Sequence, residues 1–442
     1  SRLATPPQYQ TFRFNFSAII EKIPFVGKKL SWLNYKFKRA IKSFIFPNNL
    51  FSDLGFEYVG PLNGHHLADL LKVMRRVRRI HRPVVIHVVT QKGRGYTPAE
   101  KDPVTFHGVG PFDTSTGECM LCKSTKTFTQ VFSNKIIELA SKNSKICAIT
   151  AAMTTGTGLL PFEKLYPDRF FDVGIAEQHA VTFAGGLARA GMKPVVAIYS
   201  TFIQRAVDQL IHDIALQSVP AVFFLDRSGP VPSDGETHQG IFDIVLLRPI
   251  PGVSLLAPAS ALELENMLEW SLIQTFPVII RFPKACSPAE RVEFSQAIHQ
   301  GRGVLCKNNA ENSINFKAKK MLFVCTGGIF PEVEKATKIL VQNTDIVADI
   351  YNLRFLKPLD KDSFLAVVKK YNTIFFVEDG IRIGGIGTYL ESLVNRKLDN
   401  KKTVVSGFPD LFLPQGNRKQ ILEDAHLSPQ YLAKKAMRLF EK

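Results

Sequence analysis

The sequence predicts an α/β protein with three units, each containing a parallel sheet flanked by helices, the first unit being incomplete. Short apolar runs, many of them β-branched, alternate with segments whose apolar residues recur at helical spacing. This alternation is typical of consecutive strand–helix–strand units. Two stretches rich in turn-forming or polar residues, 113–126 and 301–319, are predicted to be linkers. We therefore expect domains at 1–112, 127–300 and 320–442.

The first unit has one clear strand signal and one unusual basic segment. Residues 83–89 form a continuous apolar run with four valines, which indicates a buried parallel strand. Residues 19–45 carry apolar side chains at roughly helical spacing among many lysines. Such a segment could pair with helices or lie on a membrane surface, and packing against its own protein is the commoner outcome.

The second and third units show regular alternation. Helical periodicity covers 180–189 and 202–217, and in the latter one apolar stripe contains Phe202, Ala206, Leu210 and Ile214. The strands predicted for the second unit are 146–150, 169–173, 194–199, 220–226 and 277–281. The strands predicted for the third unit are 321–325, 346–351, 373–377 and 403–405.

Composition and charge exclude some functional classes. The chain is 45% hydrophobic and 21% charged, as in ordinary soluble proteins, and no apolar run reaches the ~18 residues of a membrane span. The net charge is +17, much of it at 28–29, 36–39 and 75–79. Because no nucleic-acid motif accompanies these clusters, we favour solvated helix faces in a protein that handles phosphorylated metabolites. We expect neither nucleic-acid binding nor membrane insertion.

The six cysteines do not predict a metal site. Only Cys119 and Cys122 lie close in sequence, and no second pair of Cys or His ligands accompanies them at zinc-site spacing. A redox pair is one interpretation. A pair of reduced thiols in a cytosol-like compartment is the favoured one.

Ionisable residues gather at three strand-to-helix junctions. In open α/β sheets, ligands bind at the carboxyl ends of strands, where these residues are predicted to lie. Arg205 near a helix N-terminus opposes the helix dipole, which suggests an anion nearby, whereas Glu177 in a first turn is often only a cap. With Arg227, Asp234 and His238, they suit acid–base chemistry on a phosphorylated substrate, without naming the reaction.

Six motifs resemble the 1-deoxy-D-xylulose-5-phosphate synthase family, and they occur in the family's order from Gly55 to Gly416. The motifs are GFEYVGPLNGH (55–65), KGRGYTPAEKDP (92–103), DVGIAEQHAV (172–181), IYSTFIQRA (198–206), DRSGPVPSDGETHQG (226–240) and GFPDLFLPQG (407–416). The resemblance implies a transketolase-like fold. It also implies condensation of pyruvate with D-glyceraldehyde 3-phosphate, with loss of carbon dioxide, to a precursor of isoprenoids, thiamin and pyridoxal.

The resemblance also implies two cofactors, thiamin diphosphate and Mg²⁺, and it implies which residues hold thiamin diphosphate. Glu177 would hydrogen-bond the aminopyrimidine ring and favour its imino tautomer, through a charge-assisted bond in a dry pocket. Phe202 would stack on the pyrimidine, and Tyr96 would contact the cofactor from the first domain.

The family's substrate-binding positions carry over as well. Arg205, Arg227 and Lys284 match phosphate-binding positions, although Lys284 stands where the family usually has arginine. Lysine keeps the charge and loses the planar fork, so phosphate affinity is expected to fall. The residues implied at the reacting centre are Tyr199, His107, Asp234 and His238. His179 has no assigned role.

One departure concerns the metal. The family's Gly-Asp-Gly motif and its downstream Asn, which hold magnesium and diphosphate, are absent from the sequence. We expect them to precede Ser1, so that this chain supplies no metal ligand and is by itself an incomplete enzyme. The glycine run 384–387 does not replace them, because a tight turn suffices to explain it.

Two alternatives remain beside a synthase that forms a homodimer in bacterial cytoplasm, or in plastid stroma after transit-peptide removal. One is the beta-type subunit of an α-keto acid dehydrogenase, whose magnesium-binding half is a separate chain. Residues 51–112 argue against it, because they resemble the end of a first domain fused to the second. The other is a catalytically silent fragment that only folds or binds partners.

Overall fold

The computed structural model describes residues 50–118, 126–307 and 319–441. It forms two compact units, which divide between positions 122 and 123. The basic segment 19–45, the pair Cys119 and Cys122, and most of both predicted linkers lie outside the described residues. Within the described ranges, no helix has the length and apolar character that a membrane crossing requires.

The first unit contains a small parallel sheet. Strand β1 (Glu57–Asn63) pairs with β2 (Val84–Val89), and helix α2 (Leu67–Val77) connects them. Helix α1 (Leu50–Asp53) precedes them and α3 (Thr97–Lys101) follows. The predicted strand at 83–89 is confirmed, but its expected burial is wrong, since Val89 exposes 52% of its surface. Within residues 50–118 the sheet has two strands, too few to enclose their apolar side chains.

The second unit has two sheets in its described residues. Its strands are β3 (Ile146–Thr150), β4 (Phe170–Asp172), β5 (Lys193–Tyr199), β6 (Val222–Asp226), β7 (Ser254–Leu256), β8 (Val278–Arg281), β9 (Val304–Cys306), β10 (Lys319–Thr326), β11 (Ile346–Leu353), β12 (Phe355–Lys357), β13 (Thr373–Ile381) and β14 (Lys402–Phe408). All nine strands predicted for this part of the chain are confirmed. Strands β7, β9 and β12, each of three residues, were not predicted.

The helices flank these sheets. They are α4 (Phe128–Lys142), α5 (Leu160–Leu165), α6 (Glu177–Arg189), α7 (Ser200–Ile203), α8 (Val207–Gln209), α9 (Asp243–Leu247), α10 (Ala261–Leu272), α11 (Phe330–Asn343), α12 (Lys361–Val368), α13 (Ile386–Lys397), α14 (Arg418–Asp424) and α15 (Pro429–Glu441). The predicted helix 202–217 is split, because 3₁₀ and π turns join α7, α8 and the segment Leu210–Ala215. The predicted apolar stripe still faces the core, and Ala206, Leu210 and Ile214 are fully buried.

The larger sheet has the order β12-β7-β8-β6-β5-β3-β4 in the described residues. Its strands are parallel except β12, which pairs antiparallel with β7. The carboxyl ends of β4, β5 and β6 therefore lie at the same edge, where Glu177, Arg205 and Arg227 follow. This arrangement positions the candidate site.

The other sheet has the order β14-β13-β10-β11-β9 where the chain is described. Strand β9 pairs antiparallel with β11, so the predicted linker 301–319 is wrong for residues 304–306. Val304 and Cys306 are buried in that sheet's core, which explains why this stretch is ordered. Strand β12 follows β11 in sequence and joins the larger sheet, so the third predicted domain completes the sheet of the second.

Candidate active site

Glu177 is a buried carboxylate at the start of helix α6. Asp172, at the end of β4, accepts backbone hydrogen bonds from Ala152 (2.7 Å) and Gly174 (2.9 Å), which fixes the loop before the helix. Glu177 is 2% exposed, and its two oxygens lie 3.2 and 3.4 Å from Nη1 of Arg205. Burial without a charged partner would be costly, so this ion pair holds Glu177 in its pocket.

An aromatic cluster lies beside this ion pair. The ring of Phe202 has its centroid 5.9 Å from Tyr199 and 5.4 Å from His238. The guanidinium carbon of Arg205 lies over the Phe202 ring, 5.4 Å from its centroid. Phe202 and Arg205 lie three residues apart after β5, which places them on neighbouring positions of one helical turn. The junction after β5 thus supplies both a ring and a cation to Glu177.

The loop 226–240 is held by its own polar groups. The buried Gln239 side chain accepts from the backbone of Val231 (2.7 Å) and donates to the carbonyl of Gly235 (3.3 Å). Gly229 and Gly240 exchange two backbone hydrogen bonds, and a Cβ on Gly240 would lie 2.2 Å from the carbonyl oxygen of Arg227. These contacts fix the path of the loop.

Arg227 has a backbone conformation that non-glycine residues seldom adopt. Its φ is +63°, in the left-handed region, which costs on the order of 1 kcal/mol or more. Its guanidinium lies over the ring of Tyr199, 3.9 Å from the centroid. Backbone strain of this kind is found most often at functional positions, and here it aims a cation at the ring of Tyr199.

Asp234 joins two cations. It forms ion pairs with Arg227 and with Lys284, whose Nζ lies 2.9 Å from Oδ1 of Asp234. Burial alone would raise its pKa, but hydrogen bonds from Lys284 and Ser233, with the charge of Arg227, hold the pKa of Asp234 below its usual range. The two cations and one carboxylate together carry one net positive charge, which is what an anion site requires. The hydroxyl of Ser233 and the ring of Tyr199 lie beside them.

Burial shifts the pKa values of two titratable side chains beside this cluster. Burial lowers the pKa of His238, and the charge of Asp234 opposes that shift only partly. Burial also raises the pKa of the Tyr199 hydroxyl, against the effect of Arg227. At neutral pH the imidazole is therefore neutral and the phenol keeps its proton.

Asp226 was not singled out from the sequence. It is the last residue of β6 and is fully buried; Thr129 donates to its Oδ2 at 2.8 Å, and Oδ1 has no hydrogen-bond partner in the described part of the chain. Burial raises the pKa of Asp226 to about 6. Its position beside Arg227 was visible in the motif, but its hydrogen bond to Thr129 of α4 joins residues 97 positions apart.

Not all predicted site residues come together. Arg205 was expected to share a phosphate with Arg227 and Lys284, but it pairs with Glu177 while they pair with Asp234. Tyr96 and His107 belong to the first compact unit. There the Tyr96 hydroxyl donates to the carbonyl of Thr114 at 3.0 Å, and His107 ends a 3₁₀ turn. Their roles remain predictions.

The glycine run 384–387 has a more specific reason than a tight turn. The buried carboxyl group of Glu378 accepts hydrogen bonds from the backbone N–H of Ile386 (2.9 Å) and of Gly387 (3.1 Å) at the start of α13. A Cβ on Gly385 would lie 2.3 Å from the oxygens of that carboxyl group. The glycines leave room for the Glu378 side chain, whose pKa is raised to about 8, chiefly by burial.

In the described residues no group of three or more His, Cys, Asp or Glu side chains could hold a metal ion.

Three family models match the chain. Residues 1–90 match the model described as 1-deoxy-D-xylulose-5-phosphate synthase, residues 124–288 the transketolase pyrimidine binding domain, and residues 312–432 the transketolase C-terminal domain. A protein named 1-deoxy-D-xylulose-5-phosphate synthase from Treponema pallidum is 49% identical over 436 residues, 99% of this chain and 68% of that protein. One of the same name from Caldanaerobacter subterraneus is 40% identical, over 98% of this chain and 68% of that protein.

The chain belongs to the 1-deoxy-D-xylulose-5-phosphate synthase family. It is therefore a transketolase-type enzyme that depends on thiamin diphosphate. The names of these relatives do not favour the dehydrogenase-subunit alternative. The chain spans about two thirds of the length of these curated relatives.

Solved structures confirm the transketolase-like fold. A split-gene transketolase, described as an inactive beta4 tetramer, matches with a TM-score of 0.61 at 23% identity, over 72% of this chain and 98% of that one. A transketolase variant from Pichia stipitis matches with a TM-score of 0.56 at 16% identity, over 72% of this chain and 46% of that one. At these identities the similarity supports the fold alone.

Proposed function

We propose that this protein condenses pyruvate with D-glyceraldehyde 3-phosphate, releases carbon dioxide and forms 1-deoxy-D-xylulose 5-phosphate. Family membership supports the reaction. The observation that carries the assignment of the site is the buried Glu177 carboxylate beside the Phe202 ring, at the carboxyl edge of the larger sheet.

The residues around Glu177 fit the pyrimidine part of thiamin diphosphate. A nitrogen heterocycle with an amino group needs a carboxylate to hydrogen-bond and an aromatic surface to stack on. Glu177 and Phe202 would provide these, and Tyr96 would contact the cofactor from the first domain. When bound, thiamin diphosphate supplies the nucleophilic carbon and electron sink that decarboxylation of pyruvate requires. Mg²⁺ would accompany its diphosphate.

The phosphate of the aldehyde substrate would bind at Arg227 and Lys284. Both are cations that Asp234 holds in place, and the cluster keeps a net positive charge. A phosphate would bring two negative charges to it and would gain charge-assisted hydrogen bonds. Asp234 then holds the two cations in place, while its own negative charge repels the phosphate and lowers the affinity for it.

Proton handling would fall to neutral groups near Phe202. His238 is neutral at pH 7, so it can accept a proton from a substrate hydroxyl and return it to an oxygen that becomes negatively charged. The Tyr199 phenol can donate a hydrogen bond to a developing oxyanion. We assign His107 to the same centre as a proposal that rests on the family resemblance.

Assembly and compartment are proposed on the same basis. The relatives are bacterial proteins, and we propose a homodimer in bacterial cytoplasm, with plastid stroma as the alternative. Apolar side chains exposed on the second unit, among them Ile175, Leu411 and Phe412, are candidates for a subunit interface.

Mass spectrometry of the product tests the proposed function. Isotopically labelled pyruvate and D-glyceraldehyde 3-phosphate would be incubated with thiamin diphosphate, Mg²⁺ and this chain, alone and together with the part of the Treponema pallidum relative outside the aligned region. We expect labelled 1-deoxy-D-xylulose 5-phosphate and an equal amount of carbon dioxide. Absence of that product in both incubations would contradict the proposal.

A further inference from the structure

The guanidinium of Arg205 contacts both side chains, Glu177 and Phe202, that are proposed to bind the pyrimidine. Nη1 of Arg205 lies within 3.4 Å of both Glu177 oxygens. The same guanidinium lies over the ring of Phe202, with its carbon 5.4 Å from the ring centroid. Arg205 takes no part in the Asp234 cluster, where the other two cations pair.

A guanidinium and an aminopyrimidine share the chemistry that matters at this position. Both are flat, both carry N–H donors in the plane, and both stack on aromatic rings. A pocket that offers a buried carboxylate and an aromatic face therefore accepts either one. The two cannot bind Glu177 and Phe202 at the same time.

We propose that Arg205 occupies the place of the pyrimidine in the cofactor-free protein and is displaced when thiamin diphosphate binds. This inference rests on the proposed function. It assigns Arg205 as a positioning residue for Glu177, in place of the phosphate-binding role that its sequence motif implied. The cost of a buried, unpaired Glu177 is thereby avoided before the cofactor arrives.

The exposure of the two partners makes the exchange feasible. The Glu177 side chain is 3% exposed and needs a partner at all times, whereas the Arg205 side chain is 49% exposed and can turn into water. A half-exposed ion pair is weak, so its release costs little of the cofactor's binding free energy. Arg205 therefore competes with the cofactor without blocking it.

Calorimetric titration with thiamin diphosphate and Mg²⁺ tests the inference. The protein and its Arg205→Met variant would be compared, with Arg396→Met as the control, because it removes the same charge from an exposed helical position. We expect Arg205→Met to lower the Kd for thiamin diphosphate about fivefold and Arg396→Met to leave it unchanged. Arg205→Lys keeps the charge but not the planar fork, so its Kd should lie between those of the unsubstituted protein and Arg205→Met. It replaces Arg205→Met in the test if that variant does not fold.

Chemical competition separates this role from a structural one. Methylguanidinium, at concentrations far below those that unfold proteins, should raise the Kd of Arg205→Met competitively and leave the unsubstituted protein nearly unaffected. An unchanged or higher Kd for Arg205→Met, with no competition by methylguanidinium, would overturn the role of Arg205 and leave the proposed function standing. If no form of the protein binds thiamin diphosphate, either alone or with the part of the Treponema pallidum relative outside the aligned region, the proposed function fails, and this inference fails with it.

Discussion

Arg227 and Lys284 should contribute unequally to binding of D-glyceraldehyde 3-phosphate, although both pair with Asp234. The Arg227 side chain is 16% exposed and lies over Tyr199, whereas that of Lys284 is 40% exposed. A partly buried arginine forms two charge-assisted hydrogen bonds in fixed geometry, and an exposed lysine forms one that water screens. We therefore expect substitution of Arg227 to have the larger effect.

The magnitudes follow from these environments. Loss of hydrogen bonds to a charged group in a partly buried site costs about 1.5–3 kcal/mol, so Arg227→Ala should raise the KM for D-glyceraldehyde 3-phosphate about 10- to 100-fold. Loss of an exposed pair costs up to about 1 kcal/mol, so Lys284→Ala should raise it no more than about fivefold. The KM for pyruvate should stay nearly constant in both, and kcat should fall less than KM rises.

Steady-state kinetics with each substrate varied in turn would measure these effects, with the part of the Treponema pallidum relative outside the aligned region present in every assay. Arg396→Met serves as the control, since it removes a positive charge outside the site. An unchanged KM for D-glyceraldehyde 3-phosphate in Arg227→Ala would refute the assignment of this cluster to the substrate phosphate. An equal rise in the KM for pyruvate would refute the selectivity of the cluster.

Two further predictions concern stability. Arg354 is buried and binds the buried Glu263, so Arg354→Met should lower the free energy of unfolding by about 3–5 kcal/mol, as followed by tryptophan fluorescence in urea. Arg302→Met, which breaks an exposed pair with Asp360, should lower it by no more than about 1 kcal/mol, and equal losses in the two variants would contradict this account. The raised pKa of Glu378, about 8 against an ordinary 4.5, means that the folded state keeps a proton that the unfolded state releases. The free energy of unfolding should therefore fall, by up to about 4 kcal/mol, as pH rises from about 5 to about 8, and Glu378→Gln should flatten that slope; a slope that Glu378→Gln leaves unchanged would show that other groups cause it.

The regular strands could be predicted from the sequence because their cause is local. A run such as 222–225 is apolar throughout, and a strand buried on both faces needs that composition. The strands β7, β9 and β12 have three residues each, and their pairing with neighbouring strands is not visible in so short a sequence. The exposure of the end of β2 could not be predicted from its own apolar residues, because burial depends on which other elements pack against a strand.

The candidate site divides in the same way. The junction residues Glu177, Arg227 and Asp234 were predictable because polar groups after parallel strands meet at one edge of the sheet. The pairing of Arg205 with Glu177 was not, because it joins residues 28 positions apart through the packing of two helical segments. The hydrogen bond between Asp226 and Thr129 of helix α4 could not be predicted either, because it joins residues 97 positions apart.

The rate of 1-deoxy-D-xylulose 5-phosphate formation in a Glu177→Gln variant tests the central claim most directly. Gln keeps the shape of Glu177 but removes the negative charge that the pyrimidine site is proposed to need, and loss of such an electrostatic contact costs about 10²–10³ in rate. With the part of the Treponema pallidum relative outside the aligned region present, we predict a kcat lowered by that factor and a nearly unchanged KM for D-glyceraldehyde 3-phosphate, measured by product mass spectrometry. Product formation near the unsubstituted rate would contradict the assignment of Glu177 to the cofactor, and with it the proposed site.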